Sequence, residues 1–279
     1  THDQSSAASD VYKRQLPGEP SDKYSKAAKQ IIDTGLNCLG TTTTPEFGLT
    51  GTTESLRFGA TCNPWNTAYS TGGSSGGSSA LVAAGVIPIA HANDGAGSIR
   101  IPASCCGLVG LKASRGRIKD KEVPGYLPAN ILHDGVVTRS VRDTWAFHAE
   151  IEKNIPATEF PPIGDISESF PKNLKIAVLT ENCLGEDSSA ELVQATHDVA
   201  KLCESLGHEV EMISNPFYKK FDEDFWLLWA HFGFLIRYSV GKELSSKFDH
   251  TQLEQWPKYL ISRHWRNIHK VPVAFWRLR

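Results

Sequence analysis

Apolar residues recur along this chain at two different periods, and the switches between them mark its elements. From Tyr24, the segment YSKAAKQIIDTG places Ala27, Ala28, Ile31 and Ile32 at helical spacing, with Gly35 positioned to end the helix. LNCLG (36–40) is a short apolar run that predicts a buried strand. A polar, glycine-punctuated stretch follows through TTTTPEFGLTGTTES and ATCNPWN, with no period of its own. TGGSSGGSSALVAAG (71–85) then passes from a Gly/Ser loop straight into a helix of small residues. VIPIAHA (86–92) predicts a strand, NDGAGSIRIPASCC (93–106) a loop, and LVGLKAS (108–114) leads to a turn. Later, LKIAVLT (174–180), the amphipathic SAELVQATHDVAKLCESLG (189–207) and HEVEMI (208–213) read as strand, helix and strand. Such a βαβ unit favours an α/β class with parallel pairing. From Phe221 to Arg279 the pattern is helical and rich in tryptophan, and no internal repeat or interdomain linker stands out.

The first fifteen residues, THDQSSAASDVYKRQ, have neither apolar periodicity nor the hydrophobic segment of a signal peptide. They read as a non-native tail, which leaves 16–279 as part of a single domain. Within it, a signature core spans about 35–145, and the βαβ and helical region spans 172–279. Composition narrows the function classes. With 40% apolar and 22% charged residues the chain is of ordinary globular make-up. Lys plus Arg number 29 against 31 Asp plus Glu, and this balance argues against nucleic acid or an acidic membrane as a partner. No apolar run approaches the roughly 18 residues of a membrane span. Six scattered cysteines without a C-x-x-C pair indicate neither a disulfide framework nor a zinc site, so the expected setting is reducing and cytoplasmic.

The chemistry concentrates in Gly72–Ile118. Taken alone, GGSSGGSS reads as a flexible linker. Its direct entry into an apolar helix and strand argues instead for glycines that allow positive φ and close backbone approach. A phosphate loop has the right glycine spacing at Gly72 and Gly77, but Ser78 stands where the lysine is needed. A nucleophile elbow is satisfied in letters by Gly72-Gly73-Ser74-Ser75-Gly76, although PWNTAYST ahead of it makes a poor strand. A third reading pairs Ser74 with Ser98, since the helix and strand between them can return the chain to the same edge of a sheet.

The whole run GGSSGGSSALVAAGVIPIAHANDGAGSIRIPASCCGLVGLKASRGRI resembles the defining stretch of the amidase signature family, serine amide hydrolases of α/β fold. Weaker similarity extends over roughly residues 35–210, through LNCLGTTTTPEFG, LKIAVLT and SLGHEVEM. Within the family, NPWN and HANDGAGSIRIPAS are most similar to the bacterial branch that contains 6-aminohexanoate-cyclic-dimer hydrolase and aryl acylamidases. The resemblance implies a mixed β-sheet core flanked by helices, incomplete here at both ends. It implies a Ser–Ser–Lys triad with Ser98 as nucleophile and Ser74 as the bridging serine, held by a cis peptide bond whose other half would be Ser75. The N–H groups of Gly95, Ala96, Gly97 and Ser98 would converge on the developing oxyanion, and Ala96 replaces one of the family's glycines. Asp94 and Arg100 would brace the loop. The implied partner is a small-molecule amide, with no cofactor, no metal and a homodimer left open.

The family's lysine has no match. Lys13 belongs to the tail, Lys23 to the predicted helix, and Thr41 stands where the family's G-K-T turn has another lysine. The family's later N-x-x-G-x-P-A segment is also missing, so the chain is expected to be an inactive fragment of a longer amidase. Two enzymatic alternatives stay open: a glutamine-hydrolysing amidotransferase subunit, and an esterase with Ser74 as nucleophile and His91 or His133 as base. The bland readings make His91 a structural histidine, Cys105 and Cys106 packing residues, and His264-x4-His269 a pair without the carboxylate that zinc chemistry requires. Trp226, Trp229, Trp256 and Trp265 read as core residues at helical spacing, with an apolar acyl pocket as the sharper alternative.

Overall fold

The computed structural model describes residues 26–118, 131–154, 160–164, 172–182, 184–186 and 188–278. The predicted tail 1–15, Lys13, Lys23 and Cys183 fall outside them. In chain order come helix α1 (Lys26–Asp33), strands β1 (Glu54–Ser55), β2 (Gly59–Ala60), β3 (Cys62–Asn63) and β4 (Asn66–Ser70), then helix α2 (Gly76–Ala83). Strand β5 (Ile89–Asp94), helix α3 (Arg100–Cys106), strands β6 (Val109–Gly110) and β7 (His133–Thr138), and helix α4 (Val141–Asn154) follow. The later part holds β8 (Lys175–Val178), α5 (Ala190–Ser205), β9 (Glu209–Met212), α6 (Phe221–Leu235), α7 (Gly241–Leu244), α8 (Gln255–Arg266) and α9 (Val271–Arg277).

These elements fall into two compact units. One comprises the described residues up to 164 together with Trp229–Ile268, and the other the remainder, so the boundary at Leu228 lies inside α6. In the first unit β7 is the central strand of a three-stranded sheet, antiparallel to β5 on one side and β6 on the other. Every residue of β7 is buried, because a central strand covered on both faces meets no solvent. One face packs Val82 of α2, Ile99 just before α3 and Ala103 within it against Ala90, Ala92 and Val137. The other packs Phe147 and Ile151 of α4 with Ile118 and Val136. Burying each large aliphatic side chain here contributes about 1.5–3 kcal/mol. The α/β class thus holds with a mixed pattern, since the parallel pairing expected from the βαβ unit is found between β8 and β9 of the second unit. There, Asp224 is fully buried, accepts a hydrogen bond from the Tyr218 hydroxyl at 3.0 Å and is clamped by the Arg277 guanidinium.

Three local expectations change. LNCLG is not a strand: residues 36–40 are irregular and Leu39 is 82% exposed, with no strand beside it among the described residues. The predicted loop at 93–106 is the end of β5, a tight turn and helix α3, closed by Gly107 in the left-handed conformation. Finally, PWNTAYST does contain a strand, β4, which pairs with β3 through an irregular hairpin register.

The start of α2 depends on glycine for close approach. A Cβ at Gly77 would lie 2.5 Å from the backbone N and O of Thr43, and the Gly77 N–H donates to that same carbonyl at 3.1 Å. At Gly51 a Cβ would meet only Ile101 at 3.9 Å, an ordinary contact. Gly77→Ala should therefore lower stability by about 1–3 kcal/mol, and Gly51→Ala should change it little, as measured by urea unfolding of both variants.

Candidate active site

The Gly/Ser loop is rigidly built. Residues 71–79 are all buried, which removes the linker reading. Leaving β4, the chain passes Thr71 and Gly72, makes a cis peptide bond between Gly73 and Ser74, and enters α2 after Ser75. Buried hydroxyls satisfy the backbone that glycine leaves bare. Thr53 Oγ1 donates to Gly72 O at 2.9 Å and accepts the Gly76 N–H at 3.2 Å. Thr71 Oγ1 donates to Gly72 O at 3.1 Å. The loop is laced to β5 as well: Ser75 Oγ accepts from Asn93 N at 3.1 Å, and Ser78 Oγ donates to His91 O at 2.7 Å. The expected pairing of Ser74 with Ser75 across the cis bond is corrected by one residue, to Gly73–Ser74. Ser75 ties the loop to the strand instead, because its hydroxyl lies beside the Asn93 backbone.

After β5 the chain turns around one carboxylate. Asp94, 1% exposed, accepts the Gly97 N–H at 2.7 Å and the Ile99 N–H at 3.3 Å. The Arg100 guanidinium adds a two-pronged contact at 2.9 and 3.0 Å. Burial alone would push the Asp94 carboxyl up. The bonds and charge of Arg100 and the two N–H groups outweigh it and hold the carboxyl below the usual carboxylate range. This turn presents Ser98, which like Ser74 is 7% exposed. Because Gly97 spends its N–H on Asp94, the four-donor oxyanion set expected from Gly95, Ala96, Gly97 and Ser98 shrinks. Among the described residues the N–H groups of Gly95, Ala96 and Ser98 have no partner.

The loop and the turn adjoin. Ser75 bonds β5 at Asn93, one residue before Asp94, and a Cβ at Gly72 would lie 3.1 Å from Ile101 and 3.2 Å from Pro102 of α3. Other candidates lie elsewhere. His91 Nε2 sits 2.9 Å from Asp134 Oδ1, and His133 is buried on β7 opposite Asp94. Neither makes a hydrogen bond to Ser74, and Ser74 does not adopt the positive φ of a strained elbow. Cys106 is buried, and burial with a contribution from Cys105 pushes its thiol up to about 11, while Cys105 is exposed. His264 is buried and His269 exposed, and the described residues hold no group of three or more His, Cys, Asp or Glu suited to a metal. No helix among them is long and apolar enough to cross a membrane.

Several supporting residues carried no signal of their own in the sequence. Thr53 and Thr71 lie in a stretch without period. Asn63 and Trp65 stood out only within NPWN, yet they donate to the carbonyls of Cys105 at 2.7 Å and Cys106 at 2.8 Å and so hold the end of α3.

Set beside known proteins, residues 5–269 match the amidase family. The chain belongs to the amidase family. It is 45% identical over 256 residues to the putative amidase AmiC of Mycobacterium bovis, covering 91% of this chain and 54% of that protein. It is also 45% identical over 190 residues to the 6-aminohexanoate-cyclic-dimer hydrolase of Paenarthrobacter ureafaciens, covering 63% of this chain and 38% of the relative. The solved structure of 6-aminohexanoate cyclic dimer hydrolase complexed with substrate superposes with a TM-score of 0.78 at 30% identity, over 96% of this chain and 58% of the other. A bacterial aryl acylamidase of the amidase signature family gives 0.75 at 25% identity, over 94% and 56%. The chain thus spans about half the length of the curated relatives it matches. The branch resemblance drawn from NPWN and HANDGAGSIRIPAS agrees with these neighbours, and the amidase signature fold is the fold of this chain.

The Asp94 turn yields a pH dependence. Its carboxyl titrates lower in the folded chain than in the unfolded one, so its stabilisation is complete above the unfolded value near 4 and is lost as pH falls through the folded value. Asp94→Asn should cost about 2–3 kcal/mol at neutral pH, the scale of hydrogen bonds to a charged group. The loss should shrink below pH 4, as read from urea unfolding of both proteins across that range.

Proposed function

We propose that the chain carries the nucleophile-bearing part of an amidase that cleaves the C–N bond of a small-molecule carboxylic amide, linear or cyclic. The carrying observation is the Asp94-held turn, which sets Ser98 and three unpartnered N–H groups beside the buried Gly/Ser loop that bears Ser74. In this reading Ser98 Oγ attacks the amide carbon, and its proton passes to Ser74 while the Ser74 proton passes to a neutral lysine amine. The N–H groups of Gly95, Ala96 and Ser98 bind the carbonyl oxygen as it gains charge; one such donor is typically worth about 10²–10³ in turnover. Collapse of the tetrahedral intermediate breaks the C–N bond, and the departing amine takes the proton. Water then attacks the Ser98 ester, releasing the carboxylic acid and restoring the hydroxyl. The substrate class follows the names of the relatives, a cyclic-dimer hydrolase and an aryl acylamidase.

The lysine is the open member of the relay. Among the described residues no lysine hydrogen-bonds Ser74. In this reading, a relay without that lysine acylates more slowly by roughly the 10²–10⁴ that a general base supplies.

A fluorophosphonate, which is attacked by the same activated hydroxyl and polarised by the same donors as an amide, tests the assignment. Slow labelling mapped by peptide mass spectrometry to Ser98, and abolished in Ser98→Ala, is the expected outcome. Modification of Ser74 would favour the elbow esterase, and labelling that persists in Ser98→Ala would end the amidase reading of these serines.

A further inference from the structure

The short 3-10 turn Glu46–Gly48 lies directly against Ser74. A Cβ at Gly48 would sit 3.3 Å from Ser74 Oγ and 3.7 Å from its Cβ. The turn is unusual in its backbone, with Phe47 and Gly48 both left-handed at φ 52° and 66°. Non-glycine residues rarely adopt this conformation unless the surroundings impose it. Those surroundings are supplied by the segment 229–268. Leu49 O, the first carbonyl after the turn, accepts two indole N–H groups, from Trp229 at 3.0 Å and Trp256 at 2.9 Å. Both of its lone-pair directions are thereby used. The buried Glu46 carboxylate accepts the Glu254 N–H at 2.8 Å, and the Phe47 ring meets Phe248 edge-on at 6.2 Å.

Trp229 also reaches the second half of the site. While its N–H end holds Leu49, its ring carbons Cη2 and Cζ3 lie 3.5 and 3.6 Å from where a Cβ of Gly95 would stand, next to Leu132 Cδ2 at 3.0 Å. One buried indole therefore runs from the turn over Ser74 to the first residue of the oxyanion turn. Among the described residues no hydrogen bond fixes the Ser74 hydroxyl, so its orientation depends on the groups packed around it, the Gly48 backbone among them. A relay serine depends on that placement, since an error of 1 Å at a reacting group can cost about 10²-fold in rate.

We infer that Trp229 and Trp256 are positioning residues for amide cleavage: through the Leu49 carbonyl they hold the Glu46–Gly48 turn against Ser74, and Trp229 also backs Gly95. The inference rests on the Ser98–Ser74 reading above. Neither tryptophan touches the reacting atoms, so each acts on the chemical step and not on encounter with the reagent.

The test compares the unmodified chain with Trp256→Phe, Trp229→Phe and the double variant in fluorophosphonate labelling of Ser98. The rate is followed against reagent concentration to separate the maximal rate from the half-saturating concentration. Far-UV circular dichroism and thermal melting establish that each variant is folded. The maximal rate should fall about 10-fold in each single variant and about 100-fold in the double one, the scale of a misplaced reacting group. The half-saturating concentration should stay within about twofold of its original value, because binding is left intact when only the chemical step suffers. Should Trp229→Phe fail to fold, Trp256→Phe decides alone, since it removes one indole N–H from a half-buried position. A folded Trp256→Phe that labels Ser98 at the unmodified maximal rate overturns the inference, even if its melting temperature drops. Failure of the unmodified chain to label at Ser98 overturns the underlying reading, and this inference with it.

Discussion

The buried carboxylate of Asp94 is the interaction on which the candidate site depends. It ends strand β5, sits opposite His133 in the sheet, and turns the chain by taking two backbone N–H groups and a guanidinium. A carboxylate this deep is costly unless its lone pairs are filled, and four donors fill them here. The same arrangement fixes which backbone donors remain available near Ser98. Gly97 is consumed in building the turn, and Gly95, Ala96 and Ser98 are left over.

Around this turn, the protein makes a rigid object from a composition that elsewhere signals flexibility. The glycines of GGSSGG let backbones approach within distances that no side chain would tolerate, as at Gly77 against Thr43. The serines and threonines then satisfy the polar groups this proximity buries. Thr53, Thr71, Ser75 and Ser78 each bond main-chain atoms of the loop or of β5. Small side chains also let α2 and α3 lie close to the sheet, where Val82, Ile99 and Ala103 meet Ala90, Ala92 and Val137. The loop and the strand are consequently tied together by Ser75 and Ser78, with Gly72 packed close to α3.

Much of this was legible in the sequence wherever a motif coincides with a local element. The helix at Ala27–Ile32, the strand ending in HAND and the βαβ unit all announce themselves by period. The Ser74 and Ser98 assignments come from the family resemblance. Errors arose where partners decide the outcome. LNCLG has strand-like letters but no strand beside it, and an apolar run without a ladder stays irregular and exposed. PWNTAYST looks unlike a strand, yet the hairpin with Cys62–Asn63 supplies hydrogen bonds that override weak propensity. IRIPASCC was hidden in a predicted loop because its helix is only two turns long and its start is set by Asp94 and not by a capping side chain.

The amino-acid sequence by itself determined the family and the α/β class and marked Ser74 and Ser98 as candidates, because these rest on residue identity at fixed local spacing. It left open what each N–H and carbonyl would bond, and with that which N–H groups of the Ser98 turn the Asp94 carboxylate takes. It gave no hint that Leu49, Trp229 and Trp256 meet, since nothing local records a contact across some 180 to 207 positions of chain. Such contacts are settled only when the whole unit packs, because only then do the burial of apolar surface and the filling of lone pairs compete at every site at once.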